Sequence, residues 1–99
     1  MKNVKRPMNN EKSVAFITGG SRGIGFGCAR HLAQAGFDIA INGMRPAEQV
    51  AGPIAELEAL GARVLYCQGD IGSAQARESM LAQIRESFGR LNVLVNNAG

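Results

Sequence analysis

The segment SVAFITGGSRGIG, residues 13–25, decides the fold. Its first six residues form a short apolar run that ends at glycines, which is typical of a strand buried on both faces. A glycine-rich turn follows, and apolar residues then recur at helical spacing. We therefore predict a strand, a tight turn and a helix in succession. The predicted inner face of the helix comprises Ile24, Cys28, His31, Leu32 and Ala35.

The rest of the chain repeats this alternation. Further strands are predicted over residues 37–41, 62–67 and 91–95. A second helix, with Val50, Ile54, Leu57 and Leu60 or Gly61 inside, either begins near Gly52 or is kinked at Pro53. A third helix is predicted from the N-cap Ser73 to Gly89, with a buried stripe of Met80, Leu81, Ile84 and Phe88.

This element order predicts a doubly wound α/β fold. Strands that alternate with helices imply right-handed crossovers and a parallel sheet between two helical layers. The expected strand order is 3-2-1-4. The last strand would leave an unpaired apolar edge or an uncovered face.

Composition and charge narrow the function classes. The chain has 99 residues, of which 45% are apolar and 13 are glycine, as in a compact α/β domain. The whole net charge of +3 lies in residues 1–12, so we expect a flexible basic leader there and a neutral domain over residues 13–99. We expect neither nucleic-acid binding nor a membrane span. Cys28 and Cys67 lack metal-ligand spacing, so we expect no metal site and two reduced core cysteines of a cytoplasmic protein.

The glycine-rich turn has two physical uses. Glycine permits positive φ and lets the backbone approach a ligand closely, and Gly25 would let the helix pack close to the strand. The first amides of the helix that follows have no intrahelical partner and suit a diphosphate. The spacing G-x-x-x-G-x-G differs from both G-x-G-x-x-G and the P-loop. A turn that merely connects a strand to a helix remains the alternative.

Two motifs together carry a family resemblance. TGGSRGIG at residues 18–25 and NNAG at 96–99 resemble the short-chain dehydrogenase/reductase family, and within it the 3-oxoacyl-(acyl-carrier-protein) reductase-like members. The likeness covers residues 13–99 and implies the N-terminal, cofactor-binding part of a Rossmann domain. The implied cofactor-binding residues are Gly19, Ser21, Arg22, Gly23, Ile24, Gly25, Arg45, Asp70, Ile71, Asn97, Ala98 and Gly99.

The resemblance gives some of these residues a role. Asp70 would accept a hydrogen bond from the adenine amino group, with a capping or solvated Asp as the alternative. Residues 97–99 would line the adenine-ribose side of the cleft, and the asparagine pair would also tie strands together.

The choice between NAD and NADP depends on the end of the second strand. An acid there would bind the ribose 2′-hydroxyl, whereas a cation would favour the 2′-phosphate of NADP. The position is occupied by Gly43, and Asp38 comes five residues too early to substitute. Arg22 and Arg45 could both reach a phosphate, so NADP is favoured and NAD is the alternative.

The resemblance implies an oxidoreductase that transfers hydride between NADP(H) and a small carbonyl or alcohol, with a 3-oxoacyl thioester as one candidate, in a homo-oligomer (tetramer or dimer). The family's Ser, Tyr and Lys have no counterparts: the one tyrosine, Tyr66, is followed four residues later by Asp70, and every lysine lies at or before position 12. We therefore predict no catalytic residue, and interpret His31 as a packing residue. We expect the remainder of the domain to lie outside these residues. The alternative is a non-catalytic dinucleotide-binding module or a truncated product.

Overall fold

The computed structural model describes residues 12–97. Apart from Lys12, the expected leader lies outside the described residues, as do Ala98 and Gly99. The strands are β1 (Val14–Thr18), β2 (Asp38–Gly43), β3 (Val64–Gln68) and β4 (Val93–Asn96). The helices are α1 (Gly23–Gln34), α2 (Ala51–Ala59) and α3 (Ala74–Phe88), and a 3-10 turn (Ala47–Val50) precedes α2.

The four strands form one parallel sheet in the order β3-β2-β1-β4. This confirms the predicted strand order. All five residues of β1 are buried, as expected for a central strand covered on both faces. In register, Phe16 of β1 lies between Ala40 of β2 and Leu94 of β4.

Helices cover both faces, which makes three layers. On one face, Ala15 and Ile17 of β1 join a core with Ala29 of α1 and Leu57 of α2. On the other face, Val14 and Phe16 join a core with Met80 and Ile84 of α3. The alternation along β1 therefore sends successive side chains into two separate cores.

The predicted inner face of α1 is wrong at three of its five positions, and of the other two Leu32 packs against the core. Ile24 is 81% exposed, His31 and Ala35 are exposed, and Cys28 and Leu32 are only half-buried. The buried residues are instead Gly25, Ala29 and Ala33, which recur every fourth position. Because these side chains are small, α1 can lie close to the sheet.

The other helices follow the predictions more closely. Ser73 caps α3 by accepting a hydrogen bond from the Ala76 amide (3.2 Å), and Gly89 ends that helix with φ of +80°. Leu81 is 42% exposed, so its place in the predicted buried stripe is wrong. The helix α2 begins at Ala51, and Pro53 lies in its first turn, where proline needs no amide partner.

A cluster of ion pairs lies at the amino-terminal ends of the strands. The Asp38 carboxylate has no exposed surface and pairs with the guanidinium of Arg63 (3.0 Å) and the ammonium of Lys12 (3.4 Å). The backbone amide of Arg63 also donates to it, at 2.9 Å. Lys12 therefore makes contacts with the folded domain. Asp38 is paired at the amino-terminal ends of the strands, away from their carboxyl ends.

Among residues 12–97, β4 is an outer strand of the sheet and pairs only with β1. Its Leu94 side chain is 59% exposed. The expected apolar edge is therefore present. Within residues 12–97, no helix combines the length and the apolar character needed to cross a membrane.

Candidate functional site

A cleft opens at the carboxyl ends of β1, β2 and β3, where ligands bind in open α/β sheets. It brings together six of the predicted site residues. These are Gly19, Ser21, Arg22, Arg45, Asp70 and Ile71. Asn42, Gly43, Met44 and Gly69 complete its lining.

The glycine-rich turn forms the floor beside α1. Gly19 and Gly23 adopt φ of +63° and +62°, a conformation that favours glycine. The side chain of Arg22, at the N-cap of α1, makes no capping hydrogen bond. Among the described residues, none accepts a hydrogen bond from the amides of residues 23–25. Three backbone donors at the positive end of a helix dipole are thus available to an anion.

Gly25 sets how closely α1 approaches the turn. A Cβ atom at this position would collide with the Gly19 carbonyl and lie 2.7 Å from the Asn97 side-chain nitrogen. That nitrogen donates to the Gly19 carbonyl at 3.3 Å. The predicted close packing at Gly25 is therefore present, and it is packing against the turn and Asn97.

Asn97 lies just after β4 and is held to β1. Its amide donates to the Thr18 hydroxyl at 2.9 Å, and Thr18 Oγ1 also lies 3.3 Å from the Asn96 side-chain oxygen. The expected tie between strands is therefore made by both asparagines. Ala98 and Gly99, predicted beside them, lie outside the described residues.

Asn42 is a structural residue that sequence reasoning missed. Its side chain is 2% exposed and donates to the carbonyls of Cys67 (3.0 Å) and Gly69 (2.9 Å), while its oxygen accepts from the Gly19 amide (3.2 Å). It thereby joins the ends of β1, β2 and β3. Its place at the end of a predicted strand was the only available signal, since these partners are distant in sequence.

Two arginines border the cleft beside Gly43. Arg22 is exposed, and within residues 12–97 its side chain has no hydrogen-bond or ion-pair partner. The Arg45 guanidinium donates through one terminal nitrogen to the Ser21 carbonyl (3.2 Å) and hydroxyl (3.3 Å). A guanidinium carries five N–H groups, so others remain for a ligand.

Asp70 is exposed at the opposite wall of the cleft, after β3. One carboxylate oxygen accepts a hydrogen bond from the Gly72 amide at 2.9 Å, and the Arg77 side chain donates to the neighbouring Ile71 carbonyl. Asp70 thus stabilises its own turn, and its second oxygen can still accept a hydrogen bond.

The remaining chemistry-bearing side chains lie elsewhere. His31 is exposed on α1, so its interpretation as a packing residue is wrong. Cys67 is buried, as expected, whereas Cys28 is half-buried, and both are free. Burial raises the pKa of Tyr66, an effect that the nearby Arg45 charge opposes. Its hydroxyl is therefore protonated at neutral pH and donates to the Arg45 carbonyl at 2.6 Å.

Comparison with known proteins decides the family. A family profile described as short chain dehydrogenase matches residues 13–99. The chain belongs to the short-chain dehydrogenase family. This confirms the resemblance drawn from the two motifs and assigns the parallel sheet to the Rossmann-like folds of that family.

Individual short-chain dehydrogenases are similar over nearly all of the described chain. L-Rhamnose 1-dehydrogenase (NAD(P)(+)) from Sphingomonas sp. (strain SKA58) is 38% identical over 89 residues, which are 90% of this chain. The chain spans about a third of that relative's length, 35%.

Similar solved structures include complexes with NAD and with NADP. The 3-oxoacyl-[acyl-carrier protein] reductase from Brucella melitensis in complex with NAD is 42% identical, with a TM-score of 0.81 over 89% of this chain and 34% of that one. A short chain dehydrogenase from Burkholderia cenocepacia J2315 in complex with NADP is also 42% identical, with a TM-score of 0.81 over 88% and 36% of the two chains. Dinucleotide-binding oxidoreductases are therefore the class to which this chain is related.

The cleft suits such a cofactor on its own geometry. The free amides at the start of α1 match a diphosphate, and the unpaired oxygen of Asp70 matches a hydrogen-bond donor. The positive φ angles of Gly19 and Gly23 suit glycine, and they give the turn the backbone conformation that leaves these amides without a protein partner.

Proposed function

We propose that this chain is the cofactor-binding part of an NADP-dependent oxidoreductase that transfers hydride between NADP(H) and a carbonyl or alcohol substrate. A 3-oxoacyl thioester is the first substrate class to test, because a 3-oxoacyl-[acyl-carrier protein] reductase is among the similar structures. The proposal includes a cytoplasmic homo-oligomer, as the family resemblance implies. Two free cysteines are ordinary in that compartment.

The charge of the cleft beside Gly43 is the observation that carries the choice of NADP. Arg22 and Arg45 border this end of the cleft, and Gly43 stands where a carboxylate would bind the ribose 2′-hydroxyl of NAD. Guanidinium groups bind phosphate by charge-assisted hydrogen bonds, each worth about 1.5–3 kcal/mol.

Each predicted residue has a part in this proposal. The amides of residues 23–25 would hold the diphosphate, Asp70 the adenine, and the two arginines the 2′-phosphate. Gly19, Ser21 and Ile71 would shape the cleft, whereas the Ile24 side chain lies outside it and contributes its amide alone. Asn97 would position the turn, with residues 98 and 99 beside it. The bound nicotinamide supplies or accepts the hydride, and no residue of this sequence is assigned to proton transfer.

Cofactor titration calorimetry on the full chain tests the proposal. We expect NADPH to bind about 10- to 100-fold more tightly than NADH. Gly23→Ala should weaken both cofactors by about tenfold or more, because the added methyl group enters the open space before the amides.

Gly89→Ala is the matched control for this experiment. Gly89 also has positive φ and open space around a Cβ atom, but it ends α3 outside the cleft. Both variants should lose similar stability, about 1–2 kcal/mol, and only Gly23→Ala should lose affinity. Undiminished binding by Gly23→Ala would overturn the diphosphate site, and equal affinity for NADPH and NADH would overturn the choice of cofactor.

A non-catalytic dinucleotide-binding module is the second candidate. The sequence contains no Tyr-x-x-x-Lys, and Tyr66 is already bonded to the Arg45 carbonyl. The assay must use the full-length protein, because neither candidate assigns a proton-transfer residue to this sequence. Cofactor binding by that protein without NADPH oxidation in the presence of 3-oxoacyl thioesters and other carbonyl compounds favours the module. Oxidation of NADPH favours the enzyme.

A further inference from the structure

Position 43 is enclosed by two hydroxyl groups. A Cβ atom on Gly43 would lie 2.8 Å from Ser21 Oγ and 3.0 Å from the Tyr66 hydroxyl oxygen. Distances this short mean that any side chain at position 43 requires its neighbours to move. A carboxylate side chain at position 43 would therefore require the Ser21 and Tyr66 hydroxyls to shift.

The same two residues hold Arg45. The Tyr66 hydroxyl donates to the Arg45 backbone carbonyl, at 2.6 Å. The Arg45 side chain turns back and donates to the Ser21 carbonyl and hydroxyl at 3.2 and 3.3 Å. One arginine is thus fixed at its backbone from β3 and at its guanidinium from the glycine-rich turn.

This double attachment limits where the guanidinium can go. The segment that carries Arg45 follows β2 and is partly exposed. The Tyr66 ring packs against the core, so its hydroxyl is a fixed donor. Without that donor, the Arg45 backbone would lose its anchor to β3, and the side chain would lose its defined approach to the cleft.

We propose that Tyr66 is a positioning residue for cofactor choice: through the Arg45 carbonyl it holds the guanidinium where the 2′-phosphate binds, and with Ser21 it excludes a side chain at position 43. This inference rests on the proposed function and extends it to a residue that makes no contact with the cofactor in the proposal.

The test uses the adenosine half of each cofactor as a probe. Adenosine 2′,5′-bisphosphate carries the 2′-phosphate, and adenosine 5′-monophosphate lacks it. We expect Tyr66→Phe in the full chain to weaken the bisphosphate about fivefold, the equivalent of one hydrogen bond, and to leave the monophosphate unchanged. Arg45→Ala should weaken the bisphosphate by more.

The double variant separates positioning from general structural support. If Tyr66 acts through Arg45, then Tyr66→Phe combined with Arg45→Ala should bind the bisphosphate no more weakly than Arg45→Ala alone. An equal loss for both probes, or a full additional loss in the double variant, would overturn the inference. So would Tyr66→Phe that binds both probes as the wild type does.

Binding by the wild-type chain distinguishes a failure of the proposed function from a failure of the role assigned to Tyr66. A wild-type chain that binds neither probe overturns the proposed function and this inference together. A wild-type chain that prefers the bisphosphate, with no change in Tyr66→Phe, overturns the inference alone.

Gly43→Ala supplies a second measurement that does not depend on ligand. Its methyl group meets both hydroxyls, so the melting temperature should fall. The fall should be smaller when Tyr66→Phe has removed one of them. An equal fall in both backgrounds would contradict the enclosure of position 43 by Tyr66.

Discussion

The Cys67 thiol, at the end of β3, shows what burial does to a single group. Burial raises its pKa to about 11, from an ordinary value of 9.0. The unfolded chain therefore releases this proton at a lower pH than the folded chain does. Stability from this group is fully present below about pH 8 and is lost as the pH rises from 9 to 11, by at most about 1.4 kcal/mol per pH unit.

Denaturant unfolding at about pH 8 and about pH 10.5 tests this expectation. Cys67→Ala should lose less stability between these two values than the wild type does. Cys28→Ala is the matched control, because the second thiol is half-buried, and it should keep the wild-type slope. The Cys67 thiolate also raises the pKa of Tyr66, so the three proteins are compared in the Tyr66→Phe background, where this coupling is absent. Identical slopes in all three would exclude the Cys67 contribution.

Site residues were predictable to different degrees. Arg22, Arg45 and Asp70 were found because their positions follow a predicted strand or open a predicted helix, and the structure brings them into one cleft. The roles of Asn42 and Tyr66 were not found from the sequence. Their hydrogen-bond partners lie 21–27 positions away, and these contacts depend on the register between β2 and β3.

At the scale of the element, α1 shows why a hydrophobic pattern can be misread. Large apolar residues normally identify the buried face of a helix. Here the helix approaches the glycine-rich turn closely at Gly25, and the fully buried positions of α1 are Gly25, Ala29 and Ala33, while Phe26 and Leu32 pack at the border of the same core. A hydrophobic pattern assigns burial to large apolar side chains. Where a helix packs closely against another backbone, small side chains occupy the buried positions instead.

Two glycines in α1 provide a matched pair. Gly25→Ala should lower the free energy of unfolding by about 2–3 kcal/mol, since its methyl group collides with backbone. Gly27→Ala should raise it by about 0.5–1 kcal/mol, because its Cβ meets open space and alanine favours helix. Denaturant unfolding of both variants measures the difference, and changes of the same sign would contradict the assigned buried face.

At the scale of the whole molecule, the sheet places the Asp38 ion cluster and the cleft at opposite ends of its strands. The alternation of strands and helices predicts a parallel sheet, and the order β3-β2-β1-β4 was predicted as the natural doubly wound arrangement, which the structure confirms. Strand ends shifted by up to two residues, since local patterns do not show which partner a strand end pairs with. The buried Asp38 cluster lies at the amino-terminal ends of the strands, and the cleft lies at their carboxyl ends.

Asp38→Asn tests this separation. It leaves two cations against a neutral group, so the free energy of unfolding should fall by roughly 3–5 kcal/mol. Glu56→Gln, which breaks an exposed pair with Arg30, should cost less than about 1 kcal/mol. Both folded variants should bind NADPH as the wild type does. A stable Asp38→Asn with weakened cofactor binding would contradict the separation.

The hydrogen bonds of Asn42 also affect how readily this asparagine deamidates. An asparagine followed by glycine, as at positions 42 and 43, readily loses ammonia when the glycine nitrogen attacks the side-chain carbonyl to form a succinimide. In the native strand three backbone groups hold that amide in place, so deamidation proceeds chiefly through unfolded copies. The aspartate or isoaspartate product would place a carboxylate against the carbonyls of Cys67 and Gly69, so we expect it not to refold into the same strand-end network. A bound dinucleotide, by depleting the unfolded population, would therefore also preserve the protein chemically during storage.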